Sequence, residues 1–212
     1  KKSLKHIICT AITAAALGGA MGAHAALPSG VNVLVNPGFE DATIDPWAPE
    51  GGGVVVGITN APKTGAQSGR VDFPGADGKG IAQDVSISGD DLLASYTVSC
   101  SVNNDSHTEL IGYRIGVWEV GGTGGTVFNQ SDWTWIAAGS SDWVDLSYTG
   151  TLTDPTATSI RAVVWVAPQG SPKAPGHFLV DDFSLIKGVE ALPVGVNVLE
   201  NPGFEEATIA PW

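Results

Sequence analysis

Between residues 94 and 103 apolar and small polar residues alternate, with Tyr96, Val98, Cys100 and Val102 on one side and Thr97, Ser99 and Ser101 on the other. The same period of two recurs at 31–35, 53–58, 80–87, 111–120, 143–152, 158–167 and 177–186, and clusters of Gly, Pro, Asn and Asp separate the runs. Successive strand side chains point to opposite faces, so this period predicts half-buried β-strands joined by turns. No window after residue 25 sustains a helical period. About eight strands over one domain-sized stretch predict an all-β protein built as a two-sheet sandwich.

The alternation also sorts residues within strands. In 158–167, Ile160, Ala162, Val164 and Val166 share one face, leaving Arg161, Val163, Trp165 and Ala167 on the other. In 111–120, Tyr113, Ile115 and Val117 oppose Arg114, Gly116 and Trp118. Both runs thus carry Arg-x-x-x-Trp on the side away from the core. The polar side of 94–103 is expected to add Thr97, Ser99 and Ser101 to the same display. Two arrangements of the tryptophans are open: exposed on a sheet face, or packed under loops and against the Arg of a neighbouring strand.

The ends of the chain divide it. Lys1, Lys2 and Lys5 precede an apolar stretch rich in Ala and Gly that closes on Ala23-His24-Ala25. That is the pattern of an export signal cleaved after residue 25, which predicts a secreted or cell-surface protein and no inserted membrane segment. Residues 26–47 (ALPSGVNVLVNPGFEDATIDPW) return at 191–212 as ALPVGVNVLENPGFEEATIAPW, identical at 18 of 22 positions. The offset of 165 residues is that of a domain rather than a solenoid repeat. The expected organisation is a signal peptide at 1–25, one complete domain at 26–190, and the start of a second copy at 191–212.

Charge narrows the partners. The chain has 10 basic and 22 acidic residues, and removal of Lys1, Lys2 and Lys5 with the signal leaves a net charge near −15. Such a surface repels phosphates and anionic lipid, so nucleic acid is not an expected partner. It suits a neutral ligand. Cys9 departs with the signal, leaving Cys100 on an apolar strand face as a core thiol with no disulfide partner in the domain. His107 and His177 lack a partner at metal-ligand spacing and are expected to be solvated or capping.

The opening Asn32-Val-Leu-Val-Asn-Pro-Gly-Phe-Glu40 with Pro46-Trp47, the Ser68-Gly69-Arg70 that follows, and the closing Phe178-Leu-Val-Asp-Asp-Phe-Ser-Leu185 resemble carbohydrate-binding modules of the family 4/9 type. Gln83 within a strand and Trp143 at a strand start match the same pattern. The resemblance spans residues 31–186 and implies a galactose-binding-like jelly roll that binds a polysaccharide of the β-glucan or xylan type. On that expectation Trp165, Trp118, Arg161, Arg114, Gln83 and Trp135 form the sugar site, with Trp47 and Trp143 structural. Within the opening motif, Phe39 is expected to plug the core and Gly38 to take a left-handed turn conformation. The resemblance further implies a structural Ca²⁺ held by Glu40 and Asp181, with carbonyls of the 60–65 loop. No pair of carboxylates stands out for glycoside hydrolysis, so the domain reads as non-catalytic. The alternative is a structural or adhesive surface repeat that uses the fold without a sugar site, with neighbouring copies as its partners.

Overall fold

The structure, a computed structural model, describes residues 25–104, 107–170 and 172–189. The expected signal peptide, except Ala25, and the start of the second copy lie outside the described residues, as does Cys9. Eleven strands are present among the described residues: β1 Ala48–Glu50, β2 Val55–Thr59, β3 Ser68–Phe73, β4 Lys79–Ser86, β5 Ser95–Asn104, β6 Ile111–Val120, β7 Val127–Gln130, β8 Thr134–Ile136, β9 Ser140–Thr151, β10 Ser159–Pro168 and β11 Gly176–Lys187. They form two antiparallel sheets. One runs β1-β4-β10-β6-β7, with β8 also paired to β6; the other runs β2-β3-β11-β5-β9. No helix among the described residues is long and apolar enough to cross a membrane.

The predicted alternation builds the core. Ile111, Tyr113, Ile115 and Val117 of β6 meet Ile160, Ala162, Val164 and Val166 of β10 on the inner face of the first sheet. From the second sheet come Tyr96, Val98, Cys100 and Val102 of β5, with Phe178, Val180, Phe183 and Leu185 of β11. Each such side chain, fully buried, contributes roughly 1.5–3 kcal/mol by leaving water. Cys100 is among them, and burial pushes its thiol well above the usual range, which suits a packing role.

Residues 31–35 do not form the expected strand. Val31 and Val35, which would define its apolar face, are 53% and 57% exposed, and Leu34 is buried instead. The segment crosses the end of β11, where Asn32 replaces ladder bonds with its own amide: Nδ2 donates to Phe183 O (3.0 Å) and Oδ1 accepts from Leu185 N (3.0 Å). In the turn that follows, the left-handed residues are Asn36 (φ 48°) and Phe39 (φ 58°), not Gly38. Asn tolerates that region, whereas Phe does not adopt it without support. Phe39 is held there by burial against Trp47 (5.3 Å between ring centroids) and Phe183 (6.4 Å).

Two further expectations change in detail. Of the two roles open to His107, solvation is excluded and capping holds: it is 2% accessible, stacks on Phe73, and its Nδ1 receives the Glu109 N–H (3.1 Å). Trp143 lies half-buried in β9, outside the main core cluster. Trp47 does sit in the core, its Nε1 donating to Asn36 O.

Candidate functional site

Strands β6 and β10 are antiparallel neighbours, and their register sets Trp165 opposite Arg114 and Arg161 opposite Trp118. The two Arg-x-x-x-Trp patterns therefore lie on one outer sheet face in opposite directions, each Arg in register with the other strand's Trp. The face assignments made from alternation hold for both strands. The fate of the two Arg–Trp pairs differs, because different segments cover them.

At the Trp165 end a groove of about 560 Å³ opens, lined by Trp133, Trp135 and Trp165 and rimmed by Asp77 and Lys173, which form an ion pair. β8 lies on β6 with Trp135 opposite Gly112. A Cβ at residue 112 would stand 3.0 Å from ring carbons of both Trp133 and Trp135, so glycine alone lets the two indoles settle on the sheet. Trp133 then packs on Trp165 with 5.1 Å between centroids, and Trp135, 47% exposed, continues the aromatic surface 6.0 Å away. The Arg114 guanidinium lies 4.4 Å above Trp133 and 6.0 Å from Trp165, in cation–π range of both. Among the described residues Arg114 Nε, Trp118 Nε1 and Trp165 Nε1 are buried without a hydrogen-bond partner, so the aromatic cluster is held by ring packing and the Arg114 cation rather than by hydrogen bonds.

At the other end the pair is closed off. Trp118 is 6% exposed, capped by Phe128 of β7 in an edge-to-face contact at 4.8 Å and flanked by Trp165 at 6.1 Å. It is a packing residue of the outer face rather than a contact surface, a correction to its expected role. Arg161 turns away from Trp118. Its guanidinium takes both carboxylate oxygens of Asp84 (2.7 and 2.9 Å) and Glu50 (2.8 Å), and the Asp84 bonds hold it further above its ordinary range. Gln83 is also reassigned. It is 3% exposed and clamps the backbone of Val35, accepting its N–H (2.8 Å) and donating to its carbonyl (2.9 Å). Thr97, Ser99 and Ser101 belong to the second sheet, since β5 pairs with β9 and β11, so their hydroxyls face the opposite side of the molecule.

Trp133 was the residue least visible in the sequence as a partner for Trp165. The signal for it was Trp133-Thr134-Trp135, in which a period of two sets both indoles to one side while Ile136 enters the core.

Glu40 and Asp181 grip one loop from two sides. Asp181 Oδ2 accepts from Lys63 N (2.9 Å) and Thr64 N (3.2 Å), and Glu40 Oε1 accepts from Ala66 N (2.9 Å) and Gln67 N (3.1 Å). Asp181 is fully buried, and burial pushes its carboxyl up against the pull of the backbone N–H groups of Thr64, Asp182 and Lys63. Among the described residues no cluster of three or more His, Cys, Asp or Glu side chains is arranged to hold a metal. Two hard carboxylates, one of them buried and paired only with neutral N–H donors, nevertheless match in chemistry what Ca²⁺ takes.

No protein-family model matches the chain, and no curated protein does. Solved structures do. The family 22 xylan-binding domain of Paenibacillus barcinonensis Xyn10C aligns over 73% of this chain and 93% of its own, with 20% identity and a TM-score of 0.57. The C-terminal family 22 module of Clostridium thermocellum Xyn10B aligns over 74% and 94%, with 16% identity and a TM-score of 0.59. A family 16 carbohydrate-binding module aligns over 73% and 99%, with 16% identity and a TM-score of 0.52. At these identities the likeness is one of fold: the chain adopts the jelly-roll β-sandwich of carbohydrate-binding modules.

Proposed function

We propose that this domain is a secreted, non-catalytic module that binds a neutral polysaccharide of the xylan or β-glucan type in the Trp133–Trp135–Trp165 groove. The observation that carries this reading is the open groove lined by Trp133, Trp135 and Trp165, with Arg114 packed against the rings of Trp133 and Trp165. A pyranose ring offers flat patches of C–H to an indole and a belt of hydroxyls at its edge. Three indoles supply the apolar contact, and Asp77, Gln169 and Lys173, which line the same groove, supply polar groups for the hydroxyls. The acidic surface suits a neutral chain. The fold likeness and the opening and closing motifs of the family 4/9 type support the same class.

The test is affinity electrophoresis of the domain on a panel of xylans, β-glucans and charged polysaccharides. Retardation by one neutral glycan is the expected result. Retardation by none, from a domain shown to be folded, favours the structural or adhesive repeat.

We also propose that Glu40 and Asp181 bind a structural Ca²⁺, which would supply positive charge between the loop at 60–67 and the middle of β11. Thermal unfolding in excess Ca²⁺ is expected to lie several degrees above that in chelator, as ligand linkage to the folded state requires. Identical curves would leave the two carboxylates as a hydrogen-bonded staple of that loop.

A further inference from the structure

The opening segment is held to the rest of the domain mainly through its backbone and a few side chains. Leu27 N donates to Asp91 Oδ1, Gly30 N to Lys187 O, Val33 N to Leu185 O, and Phe183 N to Pro37 O. Val35 contributes its backbone N–H and carbonyl to Gln83. The side chains that grip are Asn32, Leu34, Phe39, Glu40 and Trp47.

The copy at 191–212 preserves all five, as Asn197, Leu199, Phe204, Glu205 and Trp212. It departs from the first at four positions: Ser29, Val35, Asp41 and Asp45 become Val194, Glu200, Glu206 and Ala210. In the first copy all four are exposed, and position 35 meets Gln83 through its backbone alone. The differences thus fall only where the slot does not read the side chain.

Direction and length also agree. From residue 30 to 33 the segment runs back along β11 from Lys187 to Leu185. A chain leaving β11 at Lys187 can therefore return along it in the hairpin sense. Residues 188–194 lie between Lys187 and Gly195, the counterpart of Gly30. Seven residues reach up to about 25 Å, against a strand spacing of about 5 Å.

We propose that the slot filled by residues 27–47 accepts residues 192–212 of the same chain as an alternative occupant, so that one domain can be closed by either copy of its opening segment. Tethering by a short connection places the second copy at a high effective concentration relative to the slot. In a chain of such units each boundary would become a site of exchange between neighbours. The proposal is independent of the glycan reading.

The test uses the whole chain with Phe39→Asp, Phe204→Asp and the double substitution, each followed by thermal unfolding, light scattering and hydrogen exchange. F204D is expected to melt like the parent. F39D is expected to keep one cooperative transition within about 5 °C of the parent, a shift of the size a small stability change produces. It should remain monomeric, with amide protection lost over 30–40 and gained over 195–205. The double variant should lose the transition.

Three results would each overturn the proposal. In the first, F39D unfolds as completely as the double variant. In the second, the double variant melts like F39D, so the second copy is not what rescues it. In the third, F39D folds only as a dimer, which assigns the donor segment to another molecule.

Discussion

Replacing Trp165 by Ala is expected to weaken the proposed glycan binding ten- to a hundredfold and to move the melting temperature little, whereas Trp118→Ala is expected to do the reverse. Trp165 forms a wall of the groove, packed at a tilt against Trp133 with Arg114 alongside. Loss of one aromatic stacking platform costs on the order of 1–3 kcal/mol where flat rings stack on such side chains, which is about one to two powers of ten in affinity. Little destabilisation is expected because the ring already borders the groove. Trp118 is enclosed by Phe128, Trp165 and Val163, so its truncation leaves a cavity that the sheet cannot collapse onto. Burial of that kind is worth roughly 3–5 kcal/mol on Trp→Ala substitution. For a domain of this size that is a fall of about 6–20 °C. Titration calorimetry against the retarding glycan, with differential scanning calorimetry on the same three proteins, separates the two effects. Equal loss of affinity in both variants with no loss of stability in Trp118→Ala would place the glycan on Trp118 after all.

The two tryptophans occupy equivalent places in the same sequence pattern, which shows where alternation stops being informative. A period of two assigns faces, and it did so for β5, β6, β10 and the start of β11. It carries no information on what lies over a face. Trp118 is closed by β7, a four-residue strand whose short run gives no periodic signal, and Arg161 is drawn off by Asp84 and Glu50 from two other strands. Partners that far apart in sequence cannot be read from local spacing.

The same limit explains the placement of Thr97, Ser99 and Ser101. That they lie on the side of β5 away from the core was legible, but which sheet β5 joins depends on pairings with β9 and β11. Residues 31–35 misled for a different reason. Their alternation is real, yet the chain there makes only isolated backbone bridges to β11 and is otherwise tied down by the Asn32 and Gln83 side chains, so Val31 and Val35 point outward.

A loss of stability as large as that of Trp118→Ala is expected from Asp91→Ala, far from the groove. Asp91 and Lys187 form an ion pair at 2.9 Å with both residues buried, at 0% and 5% exposure. Asp91 does more than pair: Oδ1 also takes Leu27 N (2.8 Å), and Oδ2 takes Ser88 N (2.8 Å) and Ser88 Oγ (2.9 Å). One carboxylate thereby joins the opening segment, the 3₁₀ turn at Gly89–Asp91 and the end of β11. Its removal strands a buried ammonium and two backbone donors. Breaking one side of such a pair costs about 3–5 kcal/mol, whereas replacing both partners by apolar residues costs much less. The double variant Asp91→Leu/Lys187→Met should therefore melt above Asp91→Ala.

The pH dependence gives an independent sign. Burial pushes the Asp91 carboxyl up, but the bonds from Ser88, Lys187 and Leu27 outweigh it and hold the group below its ordinary value. A carboxylate depressed on folding stabilises fully above its unfolded value of about 3.9, and that contribution is lost as pH falls through the folded value. The gap in melting temperature between parent and Asp91→Ala should be wide at pH 7 and narrow steadily as the solution is acidified below pH 4. A gap that stays constant through that range would mean that Asp91 acts through packing of the turn, with its charge contributing nothing to the fold.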